Sequence, residues 1–189
     1  MAHQLQNKWV LWEHDSTQKN YREANKEVCE FQTVEDFWKY WSFIPRPSEV
    51  FNEGHIKKEI DGRTIAGFCL FKKGIKPAWE DTANSSGAEW VCRNARSFEI
   101  ADAYWENLVY GLIGETIDEG DEICGCRIVN KTTNSGKINV KIELWLRSRN
   151  KDVADRILTR MLNALTDGES SKPGSSRGLP DFQHKTHGN

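Results

Sequence analysis

The chain has 189 residues, a mass of 21.8 kDa and a formal charge of −2. That is length for one ordinary domain with a real core, and a charge that excludes a general nucleic-acid binder, which would be strongly basic. No apolar run is long enough to cross a membrane, no signal-peptide segment opens the chain, and the five cysteines lack a Cys-x-x-Cys pair, so reduced core thiols in a cytoplasmic protein are expected.

The first strand is expected over Lys8–His14, where Trp9 and Leu11 alternate with Val10 and Trp12. Asp15–Tyr21 is polar and loop-like, with Tyr21 as a lone aromatic. Thr33-Val34-Glu35-Asp36 carries an N-cap signature, so a helix begins there and ends before Pro45 and Pro47. Phe37 and Trp41 suit its core face; Val34 and Trp38 form a second row, fit either for flank packing or for an exposed docking strip.

Strands are predicted over Arg63–Phe71 and Ala88–Arg93. Between them lies Gly74-Ile75-Lys76-Pro77-Ala78-Trp79-Glu80-Asp81, a loop that Pro77 stiffens. Such a loop holds out an indole face with a carboxylate beside it, which suits a flat cationic base. A half-buried Trp79 anchoring the loop, with Glu80 solvated, is the plainer alternative.

Ala101–Glu115 reads as a helix with Trp105, Leu108, Val109, Leu112 and Ile113 on one side. Glu106–Glu122 holds six acids and no Lys or Arg, whereas Arg127–Arg160 holds nine Lys/Arg against three acids. A positive field so localised suits a small anionic ligand. Ile123–Lys131 and Lys137–Leu146 form a hairpin, with Asn139, Lys141, Glu143 and Trp145 on one face of its second strand. Cys124 and Cys126 should share a strand face, too few ligands for zinc. Asn150–Leu165 is a third amphipathic helix, Thr166–Gly178 a mobile loop, and Leu179–His187 a short terminal strand. The sum is α+β: one curved antiparallel sheet, backed by three helices, with its other face open. Residues 1–189 form a single domain, with residues 1–7 partly flexible.

Leu5-Gln-Asn-Lys-Trp9-Val-Leu-Trp12, Thr33-Val-Glu-Asp-Phe-Trp38, the Gly74–Asp81 octet, Trp105-Glu-Asn-Leu108, Gly114-Glu115 and Ile123-Cys-Gly125 follow one another in order. Together they resemble the eukaryotic translation initiation factor 4E family, which binds the 5′ cap of mRNA. The resemblance runs from about His3 to Leu165 and resumes at Gln183–His187. It implies 7-methylguanine stacked between Tyr21 and Trp79, with Glu80 accepting from the base N–H groups and Trp145 near the methyl group. Lys131 and Lys141 match phosphate-binding positions, and Arg127, which shares strand parity with Lys131, is a reserve candidate. Val34 and Trp38 match the docking strip for a partner helix, on a surface that includes His3, Asn107 and Tyr110. The partner would be a scaffold or a repressor protein.

Departures bear on role. Tyr21 stands where most members have Trp, and with Trp105-Glu-Asn-Leu it resembles paralogues that repress translation. Asn107 replaces a frequent glutamate, Gln4 a proline, and Glu89 a phosphate-binding basic residue. An enzyme cleaving caps or nucleotides would need clustered carboxylates on a metal, and the Glu115–Glu122 run lacks that spacing. Neither an enzyme, a metal nor a cofactor is expected.

Overall fold

The computed structural model describes residues 2–18, 20–53, 56–95, 97–133, 137–166 and 180–188. Alternation of Trp9 and Leu11 with Val10 and Trp12 forms strand β1 (Gln4–Asp15), which starts four residues before the expected Lys8 and takes in part of the segment expected to be flexible. The polar stretch after β1 turns at residues 16–17 as expected, and a helical turn, α1 (Tyr21–Ala24), and strand β2 (Asn25–Thr33) follow where no element was read from the sequence. β2 escaped that reading because it is an edge strand: only Phe31 in it is buried, so polar residues blur its alternation.

Helix α2 (Val34–Trp41) is capped by the Thr33 hydroxyl, which accepts from the Asp36 amide at 3.0 Å. One turn, α3 (Pro47–Val50), and two short strands, β3 (Asn52–Glu53) and β4 (Ile56–Lys57), lead to β5 (Ile65–Lys72). Then come β6 (Ala88–Ala95), α4 (Phe98–Ile113), β7 (Ile123–Asn130), β8 (Val140–Leu146), α5 (Lys151–Leu165) and β9 (Phe182–Thr186). The predicted elements after Arg63 are all present, with ends moved by a few residues. Residues 167–179, most of the expected mobile loop, lie outside the described residues.

Seven strands make one antiparallel sheet in the order β2-β1-β5-β7-β8-β6-β9. One face carries the main core. There Trp9, Leu11, Phe68, Leu70, Trp90, Ile128 and Leu144 meet Phe37 of α2, Trp105 and Leu108 of α4, and Ile157 and Met161 of α5. Phe37 is buried and Trp41 packs against the same core, as the helix reading of the sequence required.

A smaller cluster lies on the other, open face: Cys69, Phe71, Ile75, Cys124 and Trp145, with Trp12 and Ala83 against it. A register shift between Ile123 and Gly125 puts Cys124 in this cluster, while Cys126 belongs to the main core. The two sulfurs therefore lie on opposite faces, against expectation, because the irregularity breaks the two-residue period. Gly125 permits the close packing here, since a Cβ would run into the Leu70 carbonyl and the Phe71 ring.

The acidic stretch is bound into the scaffold. Lys72 Nζ, 5% exposed as a residue, reaches Asp118 at 2.8 Å and Asp121 at 2.7 Å, while Arg156 and Arg160 hold Glu119. Burial lowers the basicity of Lys72, but the hydrogen bonds and charges of Asp118 and Asp121 outweigh it and raise its pKa.

Candidate functional site

The Gly74–Asp81 octet leaves β5 through a turn in which Gly74 has φ +91, a conformation that favours glycine. Two side chains then fix its course. Asp81 accepts from the Lys76 amide at 2.9 Å and the Ala83 amide at 3.0 Å. Asn84, fully buried, donates through Nδ2 to the Lys76 carbonyl at 2.9 Å and the Ala78 carbonyl at 2.8 Å. Ile75, Pro77 and Ala83 turn inward.

Trp79 does not pack. It is 56% exposed, and Glu80 beside it is exposed and makes no ion pair among the described residues. The loop's course is held by other residues: Ile75 and Pro77 are buried and Asn84 bonds its backbone. Asn84 carried no weight in the sequence reading, although an Asx residue three places after Asp81 is the pattern by which a loop hydrogen-bonds its own backbone.

Trp145, 4% exposed, is a floor rather than a free ring. It meets Phe71 edge-on at 5.5 Å, and its Nε1 donates to Glu143 Oε2 at 3.1 Å. The polar face of β8 expected to be half-open is thus largely buried. Glu143 is 1% exposed and lies opposite Arg127 in the β7–β8 register. Its carboxylate takes Arg127 Nε at 3.5 Å and the Lys141 ammonium in close contact. Burial pushes the Glu143 pKa up, but Arg127, Lys141 and the Trp145 indole together hold it below the ordinary carboxylate range.

The three candidate phosphate ligands accordingly differ. Arg127 lies over the Trp145 ring at 5.4 Å and pairs with Glu143. Lys141 is partly exposed and shares that carboxylate. Lys131 is exposed; desolvation and the nearby charges of Lys141, Arg127 and Lys57 lower its pKa. Positive charge is therefore gathered at one end of the open face, and it bears on His14. Burial lowers the His14 pKa, and Arg127 and Lys131 push it the same way. The side chain of Tyr21 lies outside the described part of the structure, so only its backbone place, at the start of α1, is defined.

The second surface lies among the helices. Trp38 is 51% exposed, Val34 is partly exposed, and Tyr110 of α4 touches the Trp38 ring at 5.5 Å. Trp41 Nε1 donates to the Tyr110 hydroxyl at 3.1 Å. His3 sits at the head of α2, where its carbonyl accepts from the Val34 amide at 2.9 Å and its ring meets Glu35 at 2.6 Å. Asn107 is turned away from this patch, with its amide donating to the Leu165 carbonyl of α5 at 3.3 Å. A groove of about 350 Å³ adjoins Tyr110, with Trp41, Pro45, Pro47 and the Arg46–Glu106 ion pair in its walls.

The family model for eukaryotic initiation factor 4E matches residues 4–173. Eukaryotic translation initiation factor 4E1 of Drosophila melanogaster is 34% identical over 173 residues, covering 89% of this chain. The chain spans only 60% of that relative's length. Among solved structures, a complex of Caenorhabditis elegans eIF4E-3 with the 4E-binding protein Mextli and a cap analogue aligns with a TM-score of 0.74 at 30% identity, covering 98% of this chain and 93% of that one. Ascaris suum eIF4E-3 in complex with an m2,2,7G cap aligns with a TM-score of 0.72 at 30% identity, covering 96% and 98%. With its motifs in order, its sheet and helices in the same arrangement and its family match extending over most of its length, the chain belongs to the eukaryotic initiation factor 4E family.

Proposed function

We propose that the chain binds the 7-methylguanosine 5′ cap of mRNA and recruits a helical partner through Val34 and Trp38 in translation initiation. The observation that carries this reading is the state of the octet: Trp79 and Glu80 are held out on a loop braced from below by Asp81 and Asn84. An apolar ring kept exposed on such a braced support is prepared for a ligand face, and ordering it in advance reduces the entropy lost on binding. Methylation at N7 makes the base cationic, so stacking on Trp79 gains a cation–π contribution, and Glu80 makes charge-assisted bonds with the base N–H donors.

Tyr21 supplies the second ring, and the edge of Trp145 meets the methyl group. Lys131 and Lys141 neutralise the phosphates. No step breaks a bond, and the chain acts as a binding protein in the cytoplasm, where capped mRNA is translated. Trp38, half exposed beside Tyr110, receives an apolar helix side chain. A repressor bound at the same strip is the alternative role, and identifying what co-purifies on a cap-analogue resin separates it from an initiation scaffold.

The test of cap binding is a fluorescence titration with 7-methyl-GTP and with GTP. Wild type should bind the methylated nucleotide far more tightly, and Trp79→Ala should cost about 1–3 kcal/mol. Equal affinity for the two nucleotides would overturn the reading.

A further inference from the structure

The family match ends at residue 173, yet the braced loop is also held from beyond it. His187, just after β9, is 8% exposed, and its Nδ1 lies 2.7 Å from the Asn84 carbonyl oxygen. A carbonyl only accepts, so this nitrogen carries a proton. The same carbonyl accepts from the Gly87 amide at 2.9 Å, and the His187 amide donates to the Gly87 carbonyl at 3.0 Å. The imidazole packs against Trp145 with ring centroids 4.7 Å apart. Arg149 grips the His187 carbonyl and reaches the Gly87 carbonyl at 3.4 Å. One side chain thus ties the anchor of the Trp79 loop to the floor of the open face.

We propose that His187 is a positioning residue for the base pocket: it locks Asn84, and through it the segment presenting Trp79 and Glu80, and it does so best when charged. The inference rests on the cap-binding reading for its functional consequence, while the locking of the loop stands apart from it.

With Nδ1 committed as a donor, Nε2 of the neutral ring is a lone pair. It is buried without a hydrogen-bond partner and faces Glu89 Oε2 at 3.8 Å. Protonation turns it into a donor towards that carboxylate. The charged groups around the ring are Glu89 on β6, Glu143 on β8, and Arg149, which binds the backbone carbonyl. Burial lowers the basicity of His187, but the facing Glu89 carboxylate, the bond to Asn84 and the charge of Glu143 raise it above the ordinary histidine value. The charged form therefore supports the folded loop fully below the ordinary value, and that support is lost as pH rises through the raised one. Glu89, which stands where the family resemblance sets a phosphate-binding base, has its partner here.

The experiment measures amide protection over residues 76–87 in the ligand-free protein, corrected for intrinsic exchange, together with 7-methyl-GTP affinity, at about pH 6 and about pH 8.5. His187→Ala removes both ring contacts. His187→Asn keeps a donor near the Nδ1 position and loses Nε2. The alanine variant should exchange about tenfold faster or more in this loop, with α4 and α5 unchanged, and bind the nucleotide more weakly. Wild type should lose protection and affinity at the higher pH by more than the asparagine variant does; the titration of the nucleotide itself cancels in that comparison. Unchanged loop protection in the alanine variant, or parallel pH profiles for wild type and the asparagine variant, would overturn the proposal. If the alanine variant does not fold, the wild-type and asparagine profiles decide. If wild type fails to prefer 7-methyl-GTP over GTP, the cap reading falls, and loop protection still judges His187.

Discussion

Trp79 and Trp38 are exposed almost equally, at 56% and 51%, and are held out in opposite ways. Trp38 rides on α2, whose own hydrogen bonds and Thr33 cap fix its position, and whose far side is anchored by Phe37 in the core. Trp79 stands on irregular backbone, which has no ladder of its own. Its support comes from Asp81 and Asn84 nearby and from His187, 103 positions beyond Asn84. The backbone support of Trp38 is thus local in origin and that of Trp79 is long-range. Damage to distant parts of the open face should reach Trp79, and the same damage should leave Trp38 as it was.

The two faces also differ in what holds them. The helix-covered side is a continuous apolar core, while the open side has a small cluster of five buried apolar residues and a buried charge cluster around Glu143. Trp105→Ala, on the first side, should cost about 3–5 kcal/mol of stability through loss of a fully buried ring. Denaturant midpoints measure it, and both surfaces should fail together. A drop below 1 kcal/mol on this scale would show that the core can collapse onto the gap.

Glu143→Ala should cost about 3 kcal/mol, because Arg127 and Lys141 lose their shared carboxylate and the Trp145 indole loses its acceptor. Since the folded pKa of Glu143 is depressed, its contribution is full above the ordinary carboxylate value and fades as pH falls through the depressed one. Unfolding followed against pH should therefore show less acid sensitivity in the variant than in wild type. Unlike Trp105→Ala, this change should damage nucleotide binding while partner binding survives in the folded fraction.

Trp38→Ala makes the converse separation. Loss of a central interface indole should weaken binding of a partner helix by about 2 kcal/mol or more and leave nucleotide affinity unaltered. Calorimetry with a partner peptide and with 7-methyl-GTP on the same preparation reads both. Retained peptide affinity would move the docking site elsewhere on the helices.

What could be read in the chain beforehand follows the same division. The helices were legible because Phe37, Trp41, Trp105, Leu108 and Ile157 recur with helical spacing against one core. The octet was legible as a constrained loop because Pro77 restricts its backbone. Asn84 and His187 left no such trace, since their role is set by hydrogen bonds to carbonyls that only the fold brings near. The polar face of β8 misled because a strand pattern marks Glu143 as exposed unless its partners on β7 are known. Cys124 and Cys126 misled because an irregularity in β7 is invisible to a period of two. β2 was missed because an edge strand buries little.

Lys131 and Lys141 sharpen the contrast on the open face itself. Lys131 is exposed and has no ion pair among the described residues, so Lys131→Ala should reduce affinity for the triphosphate without affecting stability. Lys141 also serves Glu143, so Lys141→Ala should do both. In either variant the slope of log affinity against log salt should shrink by roughly 0.7–0.9 for the phosphate contact removed. The bare 7-methylguanosine nucleoside should bind each variant as it binds wild type; an equal loss there would show that these lysines do not read phosphate.

The smallest expected effect concerns Tyr21, the second ring of the proposed sandwich. Its backbone begins a single helical turn between two edge-side strands, where the supporting structure is short and local. A phenol offers a weaker cation–π face than an indole and covers less of a purine. Tyr21→Trp should therefore tighten cap-analogue binding by less than about 1 kcal/mol, chiefly through slower dissociation. Tyr21→Ala should loosen it by more, since an entire stacking face is lost, by about 1–3 kcal/mol. Stopped-flow traces for the three proteins, with one cap analogue at fixed salt, give both rates. If Tyr21→Ala binds as wild type does, the base is stacked on one side only, by Trp79, and Trp12 of the open-face cluster is the next aromatic to replace.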